Sequence, residues 1–209
     1  RNKKIVVFDL DGTLTESKLA LKADMAALLR ELLKTKKVLV IGGGKSEIFF
    51  TQFVARLKCP KESFKNLCLM PTNSAQFYVY KNKWQLVYKK VLNKIQKEKI
   101  RKAIKVVLAQ IKYTPPKKTY GLVIEDRKTE MAFSALGQKA PLALKEKWHK
   151  NSDFRLKIVT ALKKYLPGFN IRLGGLTTVD ITQKGIDKAY GIRYVLKYLS
   201  IEPKDVIFI

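Results

Sequence analysis

The chain has 209 residues, 46% hydrophobic and 29% charged, which supplies a packed core and excludes a disordered or fibrous protein. No apolar run approaches the roughly 20 residues that would span a bilayer, and no signal peptide with a cleavage site is expected at the start of the sequence. The charge is extreme, 43 Lys and Arg against 17 Asp and Glu, a formal net charge of +26.

Residues 5–10 (IVVFDL) form a short continuous apolar run, the pattern of a buried parallel strand. Residues 19–33 carry apolar side chains at helical spacing, and residues 38–41 (VLVI) predict a second buried strand. A helix over 46–57 and a third strand over 67–70 follow, the latter ending before Pro71. Strands alternating with helices indicate βαβ units and a parallel sheet. The middle changes character. Residues 76–80 and 84–88 predict a hairpin, and 91–111 a long lysine-rich amphipathic helix stopped by Pro115 and Pro116. A second hairpin is expected over 120–126 and 130–135, then a helix over 152–166. Strands at 170–173 and 178–181, a helix over 187–199 and a strand over 205–209 return to the first pattern.

The first candidate site is Asp9-Leu10-Asp11-Gly12-Thr13-Leu14-Thr15, directly after a buried strand. Carboxylates two residues apart at the C-terminal end of a parallel strand sit where α/β sheets bind ligands. Such a pair can hold Mg²⁺ through oxygen while one member attacks phosphorus. Gly12 permits a tight turn, and Thr13 offers a hydroxyl and an amide to an anion. The second candidate is Gly42-Gly43-Gly44-Lys45, where three glycines before a helix leave backbone N–H groups open to a phosphate. The third is Lys188, opening the last long helix, where an ammonium can neutralise a nucleophile and a transferring phosphate. Lys184 is the lesser choice. Cys59 and Cys68 match no zinc or redox spacing and are expected to be buried thiols in a reducing cytoplasm. His149, the sole histidine, is expected at the surface.

With these residues in place, the sequence resembles the haloacid dehalogenase (HAD) superfamily of phosphotransferases, whose first motif is DxDGT. The resemblance implies that Asp9 is the nucleophile, forming an aspartyl-phosphate, and that Asp11 is the general acid/base. It also implies Mg²⁺, held by the Asp9 side chain and the Asp11 backbone carbonyl. The superfamily usually places a Ser or Thr hydroxyl in the second motif. Gly42 stands where that hydroxyl is expected, a departure that Thr13 and the loop amides offset in part.

Asn73, the block 120–140 (YGLVIEDRKTEMAFSALGQKA) and the block 174–188 (GGLTTVDITQKGIDK) look like the capped, phosphomannomutase-like subgroup. The fold that this implies is α/β: a Rossmann-like parallel-sheet core, residues 1–75 and 182–209, with an inserted α+β cap, residues 76–181, closing over a sugar phosphate. By position, Arg127, Lys145, Thr178 and Asp180 would face the substrate from the cap. Gln138 replaces a phosphate-binding Arg of the mutases, and Lys145 also stands where an Arg is expected. Losing bidentate arginine contacts weakens capture of a second phosphate, which tilts the reading from mutase toward phosphatase. The fourth motif, which completes the Mg²⁺ site, is expected directly after Ile209, so the metal site of the 209 residues taken alone is expected to be incomplete.

The sequence-level expectation is therefore a cytoplasmic, Mg²⁺-dependent phosphotransferase acting on a sugar phosphate, with a homodimer allowed. The rival is a catalytically degenerate module that binds RNA or another polyanion through its basic surface; intact Asp9, Asp11 and Lys188 argue against it. Of the 43 basic residues 35 are lysines spread along the chain, whereas specific phosphate and base recognition favours arginine. The charge thus supports non-specific polyanion affinity and does not by itself define a nucleic-acid site.

Overall fold

The short apolar runs become the middle of one sheet. In the computed structural model, which describes residues 3–16, 19–150 and 154–209, β1 (Ile5–Asp9) and β2 (Lys37–Ile41) flank α1 (Ala23–Thr35). A continuous helix follows, made of α2 (Ser46–Ile48), a π-helical stretch Phe49–Val54 and α3 (Ala55–Leu57), and leads to β3 (Leu67–Met70). The hairpin β4 (Gln76–Lys81) and β5 (Lys83–Lys89) turns at Asn82, whose φ is 62°. The chain continues through α4 (Lys94–Gln110), β6 (Ile124–Asp126), β7 (Glu130–Ser134), α5 (Leu142–Lys150), α6 (Phe154–Tyr165), β8 (Phe169–Leu173) and β9 (Thr178–Gln183). It ends with α7 (Lys188–Leu199) and β10 (Val206–Phe208). Two compact units result, Arg1–Lys90 with Ile186–Ile209, and Val91–Gly185.

The first unit is built on a six-stranded sheet in the order β10-β1-β2-β3-β4-β5, parallel through β3 and antiparallel beyond it. Strand alternation divides the apolar residues between two faces. Val38, Val40, Leu67 and Leu69 pack with Ala26, Leu29 and Leu33 of α1 and with Phe49, Phe53 and Leu57 of the second helix. Leu39, Ile41, Cys68 and Met70 pack on the other side with Phe77, Val79 and α7 residues Val195 and Leu196. Each fully buried Leu, Ile, Val or Phe contributes about 1.5–3 kcal/mol relative to exposure. The β1–β2 register, Asp9 opposite Ile41, brings the Asp9 turn and the Gly42 loop to the same end of the sheet.

The second unit is an antiparallel sheet, β6-β7-β9-β8, with helices on one face. Met131, Phe133, Ile171, Val179 and Ile181 point to that face and pack against Ile100, Ile104 and Val107 of α4 and Ile158 and Leu162 of α6. A capping box starts α4: the Asn93 side chain accepts from Gln96 N–H, and the Gln96 side chain accepts from Asn93 N–H. Apart from Ala132, the alternate residues of β7 and β9 are polar, and the register sets Glu130 beside Thr182, Ala132 beside Asp180, and Ser134 beside Thr178.

Several expectations need correction. The boundaries after residues 75 and 181 fall instead after Lys90 and Gly185, because β4 adds to the edge of β3 and carries the hairpin into the first sheet. The strand expected over 120–126 is confined to Ile124–Asp126. The start expected at residue 152 for the helix that became α6 lies outside the described residues. Helix α5 was not expected, since it is short and mostly exposed. Cys68 is buried as expected, but Cys59 is only partly so. His149 is exposed, and no helix of the described residues is long and apolar enough to cross a membrane.

Candidate active site

The turn after β1 is anchored from below. Leu10 and Leu14 are buried in the core, while Asp9, Asp11 and Thr13 remain partly exposed. The N–H groups of Leu14 and Thr15 both return to Leu10 O, and Gly12 N–H donates to Thr15 O at 2.7 Å. This closure needs a φ of +86° at residue 12, which glycine adopts without strain. One Asp9 carboxylate oxygen accepts from Leu10 N–H at 2.9 Å, and the other meets Lys188 Nζ. The carboxylate is thus oriented from both sides with about 30% of its side chain still open. Lys188 is presented by the first turn of α7, whose N-cap Asp187 accepts from Tyr190 N–H at 2.8 Å.

The Gly42–Gly44 loop differs from its expected role. Gly42 N–H donates to Met70 O at 3.2 Å, so that amide is not open to a phosphate. A Cβ at residue 42 would stand 3.0 Å from Leu10 Cβ and 3.2 Å from the Phe49 ring. Its place is taken by apolar packing, which corrects the expectation of a missing hydroxyl there. The N–H groups of Gly43 and Gly44 donate to no protein acceptor among the described residues, which leaves these two amides open. Beside them Thr72, Asn73 and Ser74 are three consecutive non-glycine residues in the left-handed region, with φ of 54°, 50° and 71°. Each such residue costs roughly 1–2 kcal/mol. Thr72 N–H to Gly44 O, Asn73 N–H to Gly42 O and Tyr88 OH to Ser74 O hold the turn. It lays the Asn73 side chain over Gly43, whose absent Cβ would stand 3.5 Å from Asn73 Nδ2.

Within the second unit, the four expected residues gather around the polar face of the sheet. Arg127 is the centre. Its Nε donates to Glu125 at 2.7 Å, Nη1 to Glu130 at 2.6 Å and Nη2 to Gln138 Oε1 at 3.1 Å, with Asp180 at 3.9 Å. Burial opposes the charge on Arg127, but the Glu130 and Asp180 carboxylates outweigh it and hold the guanidinium protonated. Lys145 Nζ donates to Gln138 O at 3.2 Å, so Gln138 joins both cations. Gly174 N–H donates to Thr178 O, and a Cβ at Gly174 would fall 2.2 Å from Thr178 Oγ1 and 2.4 Å from Asp180 Oδ2. A larger residue there would have to displace both side chains. Arg155, whose pKa burial lowers, braces the same loop through the Gly174 and Gly175 carbonyls and reaches His149 Nδ1 at 2.8 Å.

A family model described as haloacid dehalogenase-like hydrolase matches residues 6–209. The chain belongs to the haloacid dehalogenase-like hydrolase family. It is 26% identical over 199 residues to phosphomannomutase of Saccharomyces cerevisiae, covering 92% of this chain and 75% of that protein. It is 24% identical over 212 residues to phosphomannomutase 1 of Homo sapiens, covering 99% and 78%. Among solved structures, Plasmodium falciparum IMP-nucleotidase superposes with a TM-score of 0.68 at 15% identity; the match covers 99% of this chain and 59% of that one. A haloacid dehalogenase-like hydrolase from Bacteroides thetaiotaomicron gives 0.64 at 15% identity, covering 99% and 81%. These structural likenesses show the shared α/β fold.

The donor set of this HAD hydrolase suits the Mg²⁺ that the resemblance implies. Asp9 and Asp11 offer oxygen alone, and Mg²⁺ is typically held by one or two carboxylates with waters and phosphate oxygens. Among the described residues no group of three His, Cys, Asp or Glu could hold a metal. Three contributors escaped the sequence reading: Arg155, Gly174, and Gly191 of α7, where a Cβ would fall 2.2 Å from Ser74 Oγ. An isolated glycine inside a helical pattern, as at Gly191, signals close packing and was the available clue. Asn73 was read only as a family marker, since a left-handed run without glycine has no sequence signature.

Proposed function

We propose that the protein is a Mg²⁺-dependent phosphatase of sugar monophosphates working through an aspartyl-phosphate on Asp9. The observation that carries this reading is the Asp9 carboxylate, oriented by Leu10 N–H and Lys188 at the carboxyl end of β1. The Gly43 and Gly44 amides and Thr13 receive the phosphoryl oxygens, and Lys188 offsets their charge. Asp9 attacks phosphorus, the bond from phosphorus to the sugar oxygen breaks, and Asp11 delivers a proton to that oxygen. The Asp11 carboxylate then takes a proton from water as its oxygen attacks phosphorus, releasing phosphate and restoring Asp9. Asp9, through its carboxylate, and Asp11, through its backbone carbonyl, would hold Mg²⁺, which would supply further neutralisation of the phosphate. Within the second unit, Lys145, Thr178 and Asp180 offer polar groups suited to sugar hydroxyls.

Phosphatase is favoured over mutase by Arg127. Three of its nitrogens donate to Glu125, Glu130 and Gln138, so it acts as a strut and not as a receptor for a second phosphate. Two cysteines without a disulfide suit a reducing cytoplasm. The test is phosphate release from a panel of hexose monophosphates by wild type and Asp9→Asn. Loss of release in the folded variant supports the reading, and unchanged turnover sinks it. Activity that appears only when a hexose bisphosphate is added, as interconversion of isomers, would favour the mutase.

A further inference from the structure

Helices α4 and α6 turn their inner faces to the sheet, where Ile100, Ile104, Val107, Ile158 and Leu162 are fully buried. Their outer faces carry a second apolar set that the fold does not use: Ile95 is 80% exposed, Leu156 54%, Val106 42% and Tyr165 40%. On α4, Ile95, Lys99, Lys102 and Val106 recur at helical spacing, a stripe roughly 16 Å long at 1.5 Å per residue. Two open troughs lie on this face, about 670 Å³ along α4 and about 720 Å³ along α6, and Tyr165 lines both. The Tyr165 hydroxyl meets Gln110 Nε2 and joins the ends of the two helices.

The rims of the troughs are basic. Lys94, Lys99, Lys102, Lys157 and Lys164 line them against a single acid, Glu98. None of these five lysines has an acid partner among the described residues. We propose that this face docks an acidic amphipathic helix of a partner protein, with its apolar side chains over Ile95, Val106, Leu156 and Tyr165 and its carboxylates against the lysines. Charge complementarity selects that occupant. A second copy of the same face would set lysines against lysines. Single-stranded nucleic acid binds through aromatic stacking and arginine, whereas this face has one tyrosine and no arginine.

The test is fluorescence anisotropy with a labelled helical peptide of Leu and Glu, its leucines spaced i, i+3, i+4, i+7, against a scrambled peptide of the same composition. The ordered peptide is expected to bind at least about tenfold more tightly, the equivalent of 1.4 kcal/mol. Ile95→Ser with Leu156→Ser, and separately Lys99→Glu with Lys102→Glu, should each weaken binding by about tenfold or more, with unchanged circular dichroism. Equal binding of ordered and scrambled peptides overturns the proposal. So does tighter binding of a labelled single-stranded RNA or of phosphatidylserine vesicles that the Lys→Glu pair abolishes. The contrast between the two peptides on the unaltered protein decides the matter even where a variant fails to fold.

Discussion

Gly191→Ala probes what sets the position of Lys188. Gly191 lies in α7, three residues after Lys188, and a Cβ there would fall 2.2 Å from Ser74 Oγ and 2.6 Å from both Ser74 Cβ and Met70 Sδ. Carbon contacts settle near 3.5–4.0 Å, so about 1 Å of separation must be found. Ser74 cannot supply it cheaply, being fully buried at a φ of 71° with its carbonyl held by Tyr88 OH at 2.8 Å. Helix α7 must therefore shift, and Lys188, in its first turn, shifts with it relative to Asp9. Overpacking of this kind costs about 1–3 kcal/mol, against about 1 kcal/mol gained from the higher helix propensity of alanine. The expected net is a loss of up to about 2 kcal/mol, or a Tm lower by up to roughly 8 °C at 2–4 °C per kcal/mol. Activity should suffer more, because a misplacement of about 1 Å at the reacting groups can cost of order 100-fold. Thermal unfolding and phosphate release from a hexose monophosphate, measured side by side, check both. A variant with wild-type Tm and turnover refutes the claim that close packing at Gly191 fixes Lys188.

Lys188→Met should reduce kcat by about 100- to 1,000-fold, the cost of removing one pre-oriented donor, whereas Lys184→Met should stay near wild type in the same assay. Arg127→Ala removes the 2.6 Å ion pair of Glu130, which is fully buried, and should destabilise the second unit by about 3–5 kcal/mol. Urea unfolding measures this, and Arg127→Met with Glu130→Met should recover most of the loss. Burial raises the pKa of both thiols, that of Cys68 to about 12. At pH 8 iodoacetamide should therefore modify the half-buried Cys59 first and Cys68 only on unfolding, as peptide mapping would show.

The parallel sheet was legible because β1, β2 and β3 are buried on both faces and read as unbroken apolar runs. Asp9, Asp11 and Lys188 were legible because each sits next to a strand end or a helix start. The hairpin β4–β5 was legible as a hairpin, but its sheet was not: alternation fixes a strand's faces and leaves its pairing partner open. The same limit hid the Arg127 network, which depends on the register that brings β6, β7 and β9 together. The Gly42 run looked like three equivalent amides. Only the packing of Leu10 and Phe49, and the bond to Met70 O, separate Gly42 from Gly43 and Gly44.

The central claim is a phosphoryl group carried on Asp9. Acid-quenched single turnover of a ³²P-labelled hexose monophosphate, followed by peptide mass spectrometry, measures it directly. The account predicts label on the peptide containing Asp9, acid-stable and hydroxylamine-labile, and absent from Asp9→Asn. Phosphate released with no labelled protein at any quench time, or label on another residue, would contradict it.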